Sequence, residues 1–288
     1  MSQRAPKVLR PWEWSYPSKP VHLEILANEV SDSTKPPLLF VHGLSHGAWC
    51  YQEHWMAAAA KRGYSSYALS LRGHGGSGGA QQLKRTRLRD YVHDVLQAIA
   101  TLPSAPVLVG HSLGGLVSQR VLQRYPARAG VLLTPVPTGG IPYSTLAGAR
   151  RKPLTLAKMM AGGTLRLTAE DLFAGLPAAE AQKYVSRLGP ESPWAQYAMV
   201  YPERVRPITS PVLVVGAQED ALIEAGDIRR CAAAVDAQLL WVPGGHDVML
   251  DSNWREVLDT VLDWVDVTCP ADAPPLPGAD RMAPLNLG

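Results

Sequence analysis

The stretch Val107-Leu108-Val109-Gly110-His111-Ser112-Leu113-Gly114-Gly115 constrains this chain more than any other. A run of aliphatic, β-prone residues enters it, and a helical pattern over about 113–124 leaves it, with no room for a linker. A strand that turns so abruptly into a helix needs strained backbone angles, and side chains at the flanking positions would collide with neighbouring chain. Gly110 and Gly114 remove those collisions. The turn leaves the Ser112 hydroxyl exposed at the strand end, beside the unpaired N–H groups of a helix N-terminus. A bare Gly-x-Ser-x-Gly carries little weight, since Gly76-Ser77-Gly78 shows how readily Gly/Ser runs arise here. The strand before and the helix after give the pattern its force.

The rest of the chain supplies a framework for that turn. Short apolar runs at 21–27, 37–41, 66–71, 106–110, 130–134, 212–216 and 238–242 read as strands. Helical stretches at about 49–62, 85–101, 113–124, 225–235 and 254–265 alternate with them. Such alternation predicts an α/β fold, a mostly parallel sheet with helices on both faces. Residues 141–201 break the rhythm: they are rich in Leu, Ala, Met and Pro, and offer short helices but no strand. They read as an inserted helical lid, leaving 1–140 and 202–267 as the core and 268–288 as a Pro-rich irregular tail.

A serine hydroxyl becomes a useful nucleophile when an imidazole accepts its proton and a carboxylate holds that imidazole in the right tautomer. On this topology the chain order is serine, acid, histidine. Of eight histidines only His246 follows Ser112, in Val242-Pro243-Gly244-Gly245-His246-Asp247 just past a strand. The strand ending at Thr134 is followed by no acid until Glu170, so the acid is expected after the next strand, where Glu219 and Asp220 stand side by side at the edge where parallel sheets gather functional groups. Asp247 is expected to point elsewhere. After the early strand, His42-Gly43-Leu44 makes a turn that can aim the Leu44 N–H at the site. With the Leu113 N–H it would give two donors for an oxyanion. His42, Gly43, His111, Met159, Met160 and Phe173 are candidate pocket residues. The apolar stripe Leu154, Leu156, Met159, Met160, Leu165, Leu167, Leu172 and Phe173 suits an apolar acyl or alcohol group, and would serve lid packing equally well.

Composition narrows the partners. Over 288 residues, 28 basic and 25 acidic side chains leave a charge of +3, too little to imply nucleic-acid binding. Arg150-Arg151-Lys152 reads as a solvated surface. No stretch reaches the roughly 18 apolar residues needed to cross a bilayer. The N-terminus lacks the apolar core of a secretory signal, and Trp12, Trp14 and Tyr16 read as a packing patch. Three scattered cysteines fit a reducing cytoplasm. No phosphate-binding glycine loop follows a strand, and His42 and His46 lack a third ligand, so neither an organic cofactor nor a metal is expected. Arg72-Gly73-His74-Gly75 reads as a structural turn.

Phe40-Val41-His42-Gly43, Leu71-Arg72-Gly73-His74-Gly75-Gly76-Ser77, Gly110-His111-Ser112-Leu113-Gly114-Gly115, Asp220 and Gly245-His246-Asp247, in that order over about 21–265, resemble the α/β-hydrolase superfamily. More narrowly the chain is similar to bacterial lysophospholipase-like or esterase-like serine hydrolases. The resemblance implies an eight-stranded, mostly parallel sheet and ester or thioester hydrolysis by Ser112, His246 and Asp220. Asp220 is preferred over Glu219 because Ala221-Leu222-Ile223 resembles the segment after the acid in relatives. In one respect the chain departs: relatives usually carry an acid where it has Ser70, which implies altered local hydrogen bonding. The same triad would also serve carbon–carbon bond hydrolysis, cofactor-free perhydrolysis or acyl transfer, and a ligand receptor could keep the fold without catalysis.

Overall fold

A computed structural model describes residues 18–125 and 127–270, with the side chain of Met160 excepted. Trp12, Trp14 and Tyr16, and the tail beyond residue 270, lie outside the described residues. Seven strands form one sheet: β1 (Ile25–Asn28), β2 (Leu38–Val41), β3 (Ser66–Leu69), β4 (Val107–His111), β5 (Ala129–Leu133), β6 (Val212–Ala217) and β7 (Gln238–Val242). Their order is β1-β3-β2-β4-β5-β6-β7, with β1 antiparallel to β3 and every other pairing parallel. All seven runs read from the sequence are present, although the sheet has seven described strands rather than the eight expected. Ahead of β1 the chain spends its polar groups on the glycine-rich turn after β3: His22 C=O accepts from Gly78 N–H at 2.8 Å, and Glu24 N–H donates to Ser77 Oγ at 2.9 Å.

The central strands are buried on both faces, so they read as continuous apolar runs. Side chains alternate across the sheet and sort into two cores. On one face Leu39, Val41, Leu69, Leu108, Leu132 and Val214 pack against Tyr91 and Val95 of α3 (Leu88–Ile99), Leu116 and Val117 of α4 (Ser112–Leu122), and Ile228 of α10 (Ala225–Ala234). On the other, Leu38, Phe40, Val109, Val131, Leu213 and Val215 meet Tyr51 of α1 (Trp49–Gln52), Trp55 of α2 (Trp55–Lys61), and Val257, Val261 and Val265 of α11 (Trp254–Thr268). A 3₁₀ turn at Ala80–Arg85, which periodicity did not signal, precedes α3.

Between β5 and β6 the described residues form five helices and no strand: α5 (Pro142–Arg151), α6 (Pro153–Met160), α7 (Ala169–Leu172), α8 (Ala178–Val185) and α9 (Pro193–Val200). A buried carboxylate seats α5. Asp227 Oδ2, on α10, accepts from Ser144 N–H at 2.8 Å and Ser144 Oγ–H at 2.7 Å, satisfying first-turn amides that α5 itself cannot. No described helix is long and apolar enough to cross a membrane.

Candidate active site

Ser112 is the first residue of α4 and holds φ at +50°, in the left-handed region that costs a side-chain-bearing residue on the order of 1–2 kcal/mol. The flanking glycines make this conformation possible. A Cβ on Gly110 would run into Ser118 Oγ and the Gly114 carbonyl, and one on Gly114 would strike the carbonyl oxygens of Val41 and His42. Backbone carbonyls cannot swing aside as a side chain can. The Ser112 side chain makes no hydrogen bond among the described residues and lines a cavity of ≈ 70 Å³ together with His246.

His246 sits in the loop after β7. Its Nδ1 lies 2.9 Å from Asp220 Oδ2 and 3.1 Å from Oδ1, with the two side chains 3% and 2% exposed. Asp220 Oδ1 also accepts from the N–H groups of Leu222 (2.8 Å) and Ile223 (2.9 Å), so the carboxylate is oriented before it meets the ring. Glu219 goes elsewhere: its Oε2 accepts from Gly244 N–H at 2.7 Å and braces the turn that leads to His246. Burial works against an imidazolium at His246. The Asp220 charge and hydrogen bond, with Asp247 and Asp171 farther off, outweigh it and hold the pKa above its ordinary value. The loop is fastened at its backbone, since the His246 carbonyl accepts from Thr134 Oγ–H (3.0 Å) and faces His111 Nε2 (3.1 Å).

The amides of Leu44 and Leu113 donate to no other group among the described residues, which leaves two N–H donors flanking the Ser112 turn. His42 is not part of the cavity wall. Its Nδ1 faces the Gly43 carbonyl at 2.7 Å and its Nε2 accepts from Leu71 N–H at 3.0 Å, a role for a buried neutral ring; burial and the nearby His74 hold its pKa well below the ordinary value. Gly43 is likewise absent from the wall; a Cβ there would lie 2.7 Å from His111 Nδ1. His111 does line the cavity, and burial pushes it down to about 3.

Three acids brace this arrangement, Asp247, Glu24 and Glu191, and sequence reasoning gave a place to the first alone. Asp247 also lines the cavity, and its hydrogen-bond partner is His46, whose Nε2 lies 2.9 Å from Oδ2 while Nδ1 faces the Leu44 carbonyl at 2.8 Å. His111, His246 and Asp247 bring ligand-type atoms within 4.8 Å of one another; one atom of each is engaged, His246 Nδ1 by Asp220, Asp247 Oδ2 by His46 and His111 Nε2 by the His246 carbonyl. Ser70 stands where relatives were expected to carry an acid, and a carboxylate reaches it from elsewhere in the chain. Its hydroxyl reaches Glu24 Oε2 at 2.5 Å and accepts from Ala48 N–H at 2.9 Å, so Glu24 brings the carboxylate in from the chain just before β1. Glu191, in the linker before α9, is the third; no spacing in the sequence singles it out.

Apolar side chains of the 141–201 segment close the cavity: Ile141, Leu165, Leu167, Leu172 and Met199. Leu172 turns in and Phe173 turns out, because α7 ends between them and the extended backbone at Phe173 sends neighbouring side chains to opposite sides. The Phe173 ring lies tilted against the Tyr184 ring, 5.9 Å between centroids, and is absent from the wall that holds Ser112. Met159 lines a second chamber of ≈ 380 Å³, which shares Ile141, Leu165, Met199 and Leu222 with the first. The Met160 side chain lies outside the described residues. Ser112, His246 and Asp220 are thus gathered at the carboxyl edge of β4, β6 and β7, an arrangement capable of acyl transfer.

The sequence profile described as "Alpha/beta hydrolase family" matches residues 38–260. Methylesterase 10 of Arabidopsis thaliana is 36% identical over 97 residues, 32% of this chain and 34% of that protein. The chain therefore spans only about a third of that relative's length. The monoacylglycerol lipase of Mycolicibacterium smegmatis is 28% identical over 254 residues, 79% of this chain and 87% of that one. Among solved structures, an esterase from Exiguobacterium antarcticum superposes with a TM-score of 0.66 at 14% identity, covering 85% of this chain and 96% of its own. That likeness is one of fold.

Proposed function

The chain belongs to the alpha/beta hydrolase family, and on that premise we propose that it is a serine hydrolase cleaving a carboxylic ester or thioester with an apolar acyl or alcohol part. Ser112 Oγ attacks the acyl carbonyl while His246 Nε2 takes its proton. Asp220 keeps the remaining proton on Nδ1 and stabilises the imidazolium. The N–H groups of Leu44 and Leu113 receive the oxyanion, an interaction whose loss costs roughly 3–4 kcal/mol in comparable sites. His246 returns its proton to the departing alkoxide or thiolate, leaving an acyl-Ser112 enzyme. A water deprotonated by His246 then releases the acid. One observation carries this reading: the Asp220-held ring and the unbonded Ser112 hydroxyl line a single cavity beside two unspent amides. Residues 141–201 act as a lid whose apolar lining selects the substrate, and the names of the esterase and lipase relatives favour an ester. We place the protein in the cytoplasm, where the free thiols of Cys50, Cys231 and Cys269 would remain reduced.

The test is labelling with a fluorophosphonate, which reacts with an activated serine. Wild-type protein should label and hydrolyse an aryl ester, and Ser112→Ala should do neither. Labelling that persists in Ser112→Ala would overturn the nucleophile, and no labelling of either would favour a non-catalytic receptor.

A further inference from the structure

Ser45, the residue after the Leu44 amide, holds φ at +63°. Both of its backbone polar groups are spent on one stretch of the lid: its N–H donates to Glu191 Oε2 at 3.1 Å, and its carbonyl accepts from Gly189 N–H at 2.8 Å. Glu191 is 4% exposed. Its Oε1 accepts from Tyr91 O–H at 2.6 Å and Ser192 N–H at 2.7 Å, and His74 Nε2 lies 3.2 Å from Oε2. Tyr91 is on α3 and His74 in the turn after β3, so the core grips the carboxylate while the carboxylate grips the oxyanion loop. A left-handed serine holds its shape only when its surroundings over-determine it, and here the 189–191 clamp supplies that constraint.

We propose that Glu191 is a positioning residue: seated between His74 and Tyr91, it fixes the Ser45 peptide and so aims the Leu44 amide at the forming oxyanion, making the oxyanion hole complete only when the 189–192 stretch of the lid is docked. This rests on the reading of Leu44 as an oxyanion donor. The clamp acts on the transition state, because a ground-state ester binds through the apolar walls and gains little from one N–H. A purely structural anchor would instead loosen the whole site.

The experiment compares wild type with Glu191→Gln, which keeps the shape and removes the charge, and with Gly189→Pro, which removes the other clamp donor from an exposed position. Three quantities are read: kcat and KM for an aryl ester, affinity for a trifluoromethyl ketone that adds to the serine and places its oxygen in the hole, and affinity for the matching alcohol that cannot add. Both variants should lose about 10- to 100-fold in kcat, the loss expected from a small misaim of one donor. KM should stay within about 3-fold, ketone affinity should fall with kcat, and alcohol affinity should hold. Retention of kcat in both variants, or a fall in alcohol affinity that matches the ketone, would overturn the proposal. A wild-type protein inert to the ketone and to fluorophosphonate would instead sink the hydrolase reading itself.

Discussion

Two buried acids lie close to His246, and their partners divide their work. Asp220 binds the ring nitrogen that must carry the resting proton, whereas Asp247 faces His46 and, through it, the Leu44 carbonyl. Replacing Asp220 with Asn should therefore lower kcat by about 10⁴-fold, the size of effect seen when the orienting carboxylate of such a triad loses its charge. Glu219→Gln, one position away, should cost under about 10-fold, because that side chain braces the Gly244 turn only. The pH dependence follows from the same contact. The base must be neutral to accept a proton, and Asp220 favours the imidazolium, so kcat/KM should rise with pH through a value above the ordinary histidine pKa of about 6.5. Residual activity of Asp220→Asn should rise at lower pH, since the imidazolium has lost its partner. Profiles that coincide in the two proteins would contradict this assignment. On residues alone Asp220 and Glu219 were equivalent, and the resemblance to relatives separated them; the physical reason is the Asx turn over Leu222 and Ile223, which only the shorter side chain makes.

At the scale of elements, the elbow between β4 and α4 is where local sequence and global packing agree most closely. Gly114 is a packing requirement as much as a conformational one, since its α-carbon abuts the carbonyls at the end of β2. Gly114→Ala should destabilise the fold by about 1–3 kcal/mol through overpacking. It should also cost more activity than stability, because the displaced strand end leads directly to Leu44. Thermal melts paired with kcat check both parts. Strand and helix periods made this element legible in the sequence. They did not expose the clamp on Ser45, because Glu191 lies in a Pro-flanked linker where side-chain spacing carries no period. Nor could they show that Phe173 turns outward while Leu172 turns in, since that depends on where the short α7 stops.

For the molecule as a whole, the two-sided core explains why the strands read as unbroken apolar runs and why the fold class was evident before any coordinates. The eighth strand was an expectation from relatives, and the described chain instead commits its first polar groups to the turn around Ser77 and Gly78. Leu213, fully buried beneath α11, should cost about 2–5 kcal/mol when truncated to Ala, measured by urea denaturation. Burial works to raise the carboxyl pKa values of Asp247, Glu191 and Asp171, but bonds to His46, His74 and Lys152 respectively hold all three below the ordinary range. Their contribution is complete above the unfolded carboxyl values near 4 and is lost as pH falls through the lower folded values. The carboxylate share of stability should accordingly be lost from about pH 4 downward, below the range near pH 6.5 where keeping His42 and His111 neutral already begins to cost stability. The catalytic expectations hang on an acyl group passing through one hydroxyl. The decisive measurement is mass spectrometry of the protein quenched during turnover of an aryl ester. An acyl adduct on the peptide carrying Ser112, absent from Ser112→Ala and slow to form in His246→Ala, is the predicted result; an adduct on another residue, or undiminished turnover without that hydroxyl, would contradict it.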